Sequence, residues 1–340
     1  ALAGFACAAA ILWAHELRGF SEQAMEARVR AELLAANAAE IFEGWKTATL
    51  VFVGDIMLSR AVGRKIEKEN DPRFPFVKIA EVLRSADFAF GNLEGPISSR
   101  GNNQGSIYSF RADPRVIEGL KFAGFDVLSL ANNHILDWGN SALEDTIRIL
   151  KENGIQAVGA GMDYAEANTP AIFAIRDVRL AILAYTTLYP KSLEAKGEGA
   201  GISSFDLENA AEKINGLKNS GAADIVVVSL HWGEEYKTAP SDTQRAIAHA
   251  LVDAGAEVIV GHHPHVVQEI EMYSPSTSSR LSSRTSWIAY SLGNFVFDQG
   301  FSEETMAGLM LKITVRNKGI FSVETIKTRI SPDFTPHIEL

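Results

Sequence analysis

Sulfur is the scarcest chemistry in this 340-residue chain, which has one cysteine, Cys7. A single thiol builds no disulfide framework and no Cys-rich zinc or iron–sulfur centre, so any metal must be held by imidazole, amide and carboxylate groups. Positive charge is also in deficit: 32 Lys and Arg stand against 42 Asp and Glu, a formal net charge of −10. No basic patch is segregated along the chain. Such a surface repels a polyphosphate backbone, which argues against nucleic acid as a partner. The 27 Gly and 11 Pro are too few for a fibrous chain, and 46% hydrophobic residues are too many for a disordered one. Length alone suggests about two domains.

An apolar run of full membrane-spanning length is missing too. Residues 1–15 are uncharged, with the first charge at Glu16. As a helix they would reach roughly 22 Å, short of the ~20 apolar residues a span requires. The chain opens on Ala and not Met. The expectation is that residues 1–15 end a longer membrane anchor or export signal, with an alanine-rich buried helix as the alternative. Residues 16–45, rich in Ala, Glu, Leu and Arg and free of Pro, predict a helical stalk. On this reading the body is membrane-anchored and extracytoplasmic, or secreted.

The body is expected over residues 46–330, with 331–340 as a tail. Apolar runs at 50–53, 88–90, 127–130, 181–185, 225–230, 258–260 and 288–290 predict strands, and stretches at 114–123, 140–153, 205–219 and 241–254 predict helices. Later strands follow one another without helices, at 266–273 with 285–290 and at 309–315 with 320–326. This implies a mixed α/β architecture with two sheets and outer helices. The Ser-rich, acid-free segment 274–284 reads as a mobile loop.

The chemistry lies where the strands end. Asp55, Glu94, the run Asn132-Asn133-His134, His231, and the trio His262, His263 and His265 each follow an apolar run. Ligands bind outside the carboxyl ends of strands in open α/β sheets. One such residue alone is ordinarily a turn former, a helix cap or a buried structural histidine. Five exits in order, all carrying oxygen or nitrogen donors, point to a metal site.

The pieces Gly54-Asp55, Gly91-Asn92-Leu93-Glu94, Asn132-Asn133-His134, His231-Trp232-Gly233 and Gly261-His262-His263-Pro264-His265 resemble the calcineurin-like metallophosphoesterase signature. More closely, the segments 54–60 and 131–137, the His-Pro-His and the segment 291–298 resemble the CapA family of poly-γ-glutamate capsule biosynthesis proteins. The resemblance covers residues 48–300. It implies a four-layer α/β/β/α sandwich of the metallophosphoesterase type, here preceded by an N-terminal helix, with one or two divalent ions (Mn, Fe or Zn) at one edge of the sheets. It implies that Glu94, Asn133, His231 and His263 hold one ion. Asp55, Glu94 and His265 would hold the other, with Glu94 bridging. His134 would be the catalytic acid that protonates a leaving oxygen or binds phosphate.

The chain departs from the superfamily pattern at two places. Asp55-Ile56-Met57 stands where Asp-any-His is usual, and a thioether is a poor ligand for hard ions, so Met57 reads as packing. Asn92 stands where an Asp usually bridges; Glu94 is the expected bridge, with a mode through Asn92 still open. Arg60 and Arg111 could offer guanidinium forks to a substrate anion or form surface ion pairs. Asn294 could hydrogen-bond near the metals as a substrate contact or close its loop. Asp137 could orient His134 or cap the helix that follows, and the cap is favoured. His262 points away if the chain is extended there.

Three functions fit these residues. The first is a CapA-like protein of poly-γ-glutamate synthesis or export, with membrane-bound partners. The second is a metal-dependent phosphoesterase on an unrelated substrate. The third is a non-catalytic module that binds a polyanion.

Overall fold

The structure, a computed structural model, describes residues 47–274 and 285–339. Residues 1–46, where an anchor and a stalk were expected, and the Ser-rich stretch 275–284 lie outside the described residues. In chain order the strands are β1 (Thr47–Ile56), β2 (Phe88–Leu93), β3 (Val127–Ser129), β4 (Gln156–Val158), β5 (Ala160–Gly161), β6 (Ala171–Ile175), β7 (Val178–Thr186) and β8 (Gly201–Ile202). They continue with β9 (Ile225–His231), β10 (Val258–His262), β11 (Ile270–Tyr273), β12 (Ser286–Ala289), β13 (Asn294–Val296), β14 (Ala307–Arg316), β15 (Gly319–Ile330) and β16 (Pro336–Ile338).

One sheet runs β16-β15-β14-β1-β2-β3-β4, with β13 beside the end of β1, and the other runs β11-β12-β10-β9-β7-β6. Neighbours from β1 to β4 are parallel, as are β7, β9, β10 and β12. Their carboxyl ends therefore gather on one edge of each sheet.

Side chains alternate across a strand, and this decides the layers. Phe52, Phe88 and Phe90 of the first sheet share a buried cluster with Leu180, Ile182, Val227, Val258 and Val260 of the second, so the sheets pack face to face. Val51 and Val53 point the other way and pack with Val62 and Ile66 of helix Arg60–Glu69, Leu120 of helix Ile117–Ala123 and Leu143 of helix Asn140–Glu152. Val226, Val228 and Ile259 do the same on the second sheet, against Ile214 of helix Leu207–Asn219 and Leu251 of helix Asp242–Asp253. The result is the four-layer α/β/β/α sandwich. Strands buried on both faces read as continuous apolar runs, as in Val226-Val227-Val228.

Glycine is required where the strand ends crowd. A Cβ on Gly54 would sit 1.9 Å from the Gly293 carbonyl oxygen, and one on Gly261 would sit 1.9 Å from that of Tyr290.

Two boundaries differ from expectation. The strand expected over 266–273 begins only at Ile270, because residues before it turn away, leaving one bridge between Val267 and Leu292. The residues read as a tail return to the first sheet, where β16 pairs antiparallel with β15, Thr328 opposite Ile338. Among the described residues no helix is long and apolar enough to cross a membrane.

Candidate metal centre

The end of β1 delivers Asp55 to the space between the sheets, where it is fully buried. Its Oδ1 accepts a hydrogen bond from Asn92 Nδ2 at 2.8 Å, and its Oδ2 accepts the His263 backbone N–H at 3.2 Å. His262 Nδ1 lies 3.2 Å from Oδ1, and His265 Nδ1 lies 3.4 Å from Oδ2. Burial alone would raise the Asp55 pKa, but these imidazoles outweigh it and hold the carboxyl well below its usual range.

Glu94, just past β2, is the opposite case. Its Oε2 meets Asn92 Nδ2 at 3.4 Å, while its Oε1 is buried with no hydrogen-bond partner. Burial pushes its pKa well above the usual range; His265 pulls it partly back, and the charges of Asp55 and Glu235 reinforce the rise. His231, the last residue of β9, sets Nε2 2.7 Å from Asn133 Oδ1, while its Nδ1 lies 3.4 Å from Asn92 Nδ2. Burial, with His263 beside it, holds its pKa well below the usual value.

After β10 the chain turns through two left-handed residues, His263 (φ 95°) and His265 (φ 57°). Neither is glycine, so surrounding contacts must hold the conformation. The turn aims both rings into the same space as Glu94, with His265 Nε2 3.6 Å from Glu94 Oε1. Burial and then His265 push the His263 pKa down to about 3. Burial would lower His265 as well, but Glu94 and Asp55 outweigh it and raise it to about 9.

Ligand atoms collect in two groups, each within 4.8 Å: Asp55, Glu94 and His231, and Glu235, His263 and His265. The fit to a divalent cation is good. The donors are borderline or hard N and O atoms. Glu94 Oε1 and His263 Nδ1 are buried with nothing to bond, a costly state that a bound cation would relieve.

His134 stands beside this cluster. Its Nδ1 is 2.7 Å from Asp137 Oδ2, its ring stacks on Phe110 at 3.9 Å, and its Nε2 is 3.9 Å from Glu94 Oε1. Asp137 also accepts the Phe110 N–H at 2.8 Å. The reading of Asp137 as a helix cap is therefore corrected: the N-cap is Gly139, with no side-chain bond, and Asp137 orients His134.

Other placements differ from expectation. His262 does not point away but lies against Asp55, because the backbone turns immediately after it. Both its ring nitrogens are buried without a well-directed hydrogen bond. Asn294, expected at substrate, is buried and spent on protein groups. Its Oδ1 is 2.9 Å from His265 Nδ1, and its Nδ2 donates to Gln299 Oε1 and the Thr305 carbonyl, both at 3.0 Å.

The two arginines lie outside the ligand groups. Arg60 Nε is 3.3 Å from Asp298 Oδ2, with its guanidinium 5.4 Å from the Phe110 ring. Arg111 stacks on Trp138 at 3.5 Å and donates to the Arg100 carbonyl. Met57 is buried, its sulfur facing Ser59 Oγ at 3.1 Å, in keeping with packing. Glu235 escaped the sequence reading. Its one signal was an acidic pair, Glu234-Glu235, three and four residues after His231.

Two β-sheets between helical layers, with N and O donors gathered at their strand ends, define a four-layer α/β protein with a candidate metal centre. The chain belongs to the family of bacterial capsule synthesis proteins PGA_cap, which matches residues 49–299. It is 35% identical over 288 residues to the capsule biosynthesis protein CapA of Bacillus anthracis, covering 83% of this chain and 67% of that protein. It is 36% identical over 263 residues to the PGA biosynthesis protein CapA of Bacillus subtilis strain 168, covering 76% of this chain and 66% of that protein. The chain thus spans about two thirds of the length of these relatives. Among solved structures, the NAD nucleotidase of Haemophilus influenzae aligns with a TM-score of 0.49 at 12% identity, over 87% of this chain and 54% of the other.

Proposed function

We propose that this chain is a metal-dependent hydrolase-type protein acting in the synthesis or export of a polyanionic capsule polymer, poly-γ-glutamate. The observation that carries this reading is the convergence of Asp55, Glu94, His231, His263 and His265 on one buried space in which Glu94 Oε1 has no protein partner. The names of the two CapA relatives support the polymer. A membrane-anchored or secreted setting, with membrane-bound synthesis or export partners, belongs to the same proposal.

Asp55, Glu94, Asn133, His231, His263 and His265 would hold one or two divalent ions, Mn, Fe or Zn. Such ions would supply positive charge against the attacking and leaving oxygens of the scissile bond. Neutral His231 and His263 offer ring lone pairs without first losing a proton. Asp137 fixes the His134 ring so that Nε2 faces the site, where it can give a proton to a leaving oxygen. Arg60, whose guanidinium lies 5.4 Å from the Phe110 ring that stacks on His134, would add positive charge near the site beside its partner Asp298.

The test is metal quantitation on the full chain after reconstitution with Mn, Fe or Zn, coupled to hydrolysis assays on phosphodiester and γ-glutamyl substrates. At least one ion per chain is expected, lost in His231→Ala or His263→Ala and kept in Met57→Ala. A wild-type chain that takes up no metal would overturn the reading. Polymer binding without turnover would reduce it to a polyanion-binding module.

A further inference from the structure

The loop after β9 is fastened onto the histidine turn. The Tyr236 N–H donates to the Pro264 carbonyl at 2.8 Å, and the Tyr236 hydroxyl accepts from Gln299 Nε2 at 3.2 Å. Tyr236 is itself left-handed (φ 63°), as is Gly233 (φ 83°). A non-glycine residue keeps that conformation only where neighbouring contacts impose it. The consequence is that Glu235 is carried to the mouth of the site, its carboxylate within 4.8 Å of ring nitrogens of both His263 and His265.

His265 Nε2 lies 3.6 Å from Glu94 Oε1. His265 spends Nδ1 on Asn294, which leaves Nε2 as its ligand atom. His263 has Nδ1 buried and unbonded. One carboxylate and two imidazoles are a common donor set for Mn, Fe or Zn. Glu235 differs from the other ligand candidates in being exposed to solvent, whereas Asp55, Glu94 and His231 are buried.

We infer that Glu235 is a metal ligand, adding an exposed carboxylate beside His263 and His265 to the buried donors Asp55, Glu94 and His231. This rests on the metal-site reading above. It goes beyond the ligands implied by the family resemblance, in which Glu235 serves no ion.

The experiment titrates the apo full-length chain with Mn and counts bound ions in wild type, Glu235→Gln and Glu234→Gln. Glu234 is an exposed neighbour of the same charge, so it controls for loss of negative charge near the site. Glu235→Gln is expected to lose one ion or to bind it at least ten-fold more weakly, with its melting temperature in apo form unchanged. Glu234→Gln is expected to bind as wild type does. If Glu235→Gln binds as wild type does, or if both variants weaken binding equally, Glu235 is no ligand and this inference falls alone. If the wild type binds no ion, the metal reading itself falls and takes this inference with it.

Discussion

His134 Nδ1 lies 2.7 Å from Asp137 Oδ2, three residues further along the same turn. That contact fixes which nitrogen of the ring faces the ligand cluster. Asp137→Asn should keep the stacking on Phe110 but loosen the orientation of the ring. The expected result is a fall in kcat on the order of 10²-fold, with metal content unchanged. Steady-state kinetics and metal analysis on the same preparation decide it. Equal loss of metal and activity would place Asp137 in the scaffold of the site instead.

Asn294 does for His265 what Asp137 does for His134. Its carbonyl oxygen fixes Nδ1, and its amide is in turn held by Gln299 and Thr305. Groups that orient a metal-binding histidine typically contribute about 10- to 100-fold in affinity. Asn294→Ala should weaken Mn binding by that amount in a calorimetric titration. Unchanged affinity would show that the ring is held well enough by Asp55 and the surrounding packing.

Gly261 is a steric prediction. An added methyl would meet the Tyr290 carbonyl oxygen at 1.9 Å, where neither strand can retreat. Gly261→Ala should cost on the order of 3 kcal/mol or more in chemical denaturation. Gly216→Ala, at an exposed position of helix Leu207–Asn219 with nothing within 4 Å of the new carbon, should instead gain about 1 kcal/mol.

Acid stability has an identifiable contributor away from the metal centre. The Arg179 guanidinium holds Asp224 at a pKa of about 2, with Oδ1 2.8 Å from Nη2. Because the folded pKa lies below the unfolded one, the pair stabilises the protein above the unfolded value of 3.8. That contribution is lost as pH falls through about 2. Arg179 is exposed, so solvent screening keeps that contribution small. Asp224→Asn should lower stability slightly near neutrality and should approach the wild type at the acid end. Urea unfolding across this range checks it, and a constant difference at every pH would contradict it.

Much of the sandwich was legible because doubly buried parallel strands must be apolar throughout. The runs at 225–230 and 258–260 could be little else, and the polar residue closing each run marks the sheet edge. That Asp55, Glu94 and His231 lie at the sheet edges was legible for the same reason, since a polar side chain directly after such a run sits where strands end.

What escaped were contacts set by backbone direction. His262 looked turned away under an extended chain, whereas left-handed conformations at His263 and His265 swing the turn. Asp137 offered two roles at one spacing, and the direction of the turn toward His134 chose between them. Asn294 lies 239 residues from Asp55, yet the two are paired in register where β13 lies beside β1.

The sequence by itself determined the class of fold, the absence of sulfur ligands and the set of strand-end donors, because burial and local chemistry act on each residue where it stands. The tertiary structure decided which potential donors come within reach of one another, which side chains hold them, and that an exposed loop carboxylate, Glu235, lies beside His263 and His265. Those outcomes depend on angles and distances between segments far apart in the chain, which local pattern does not encode.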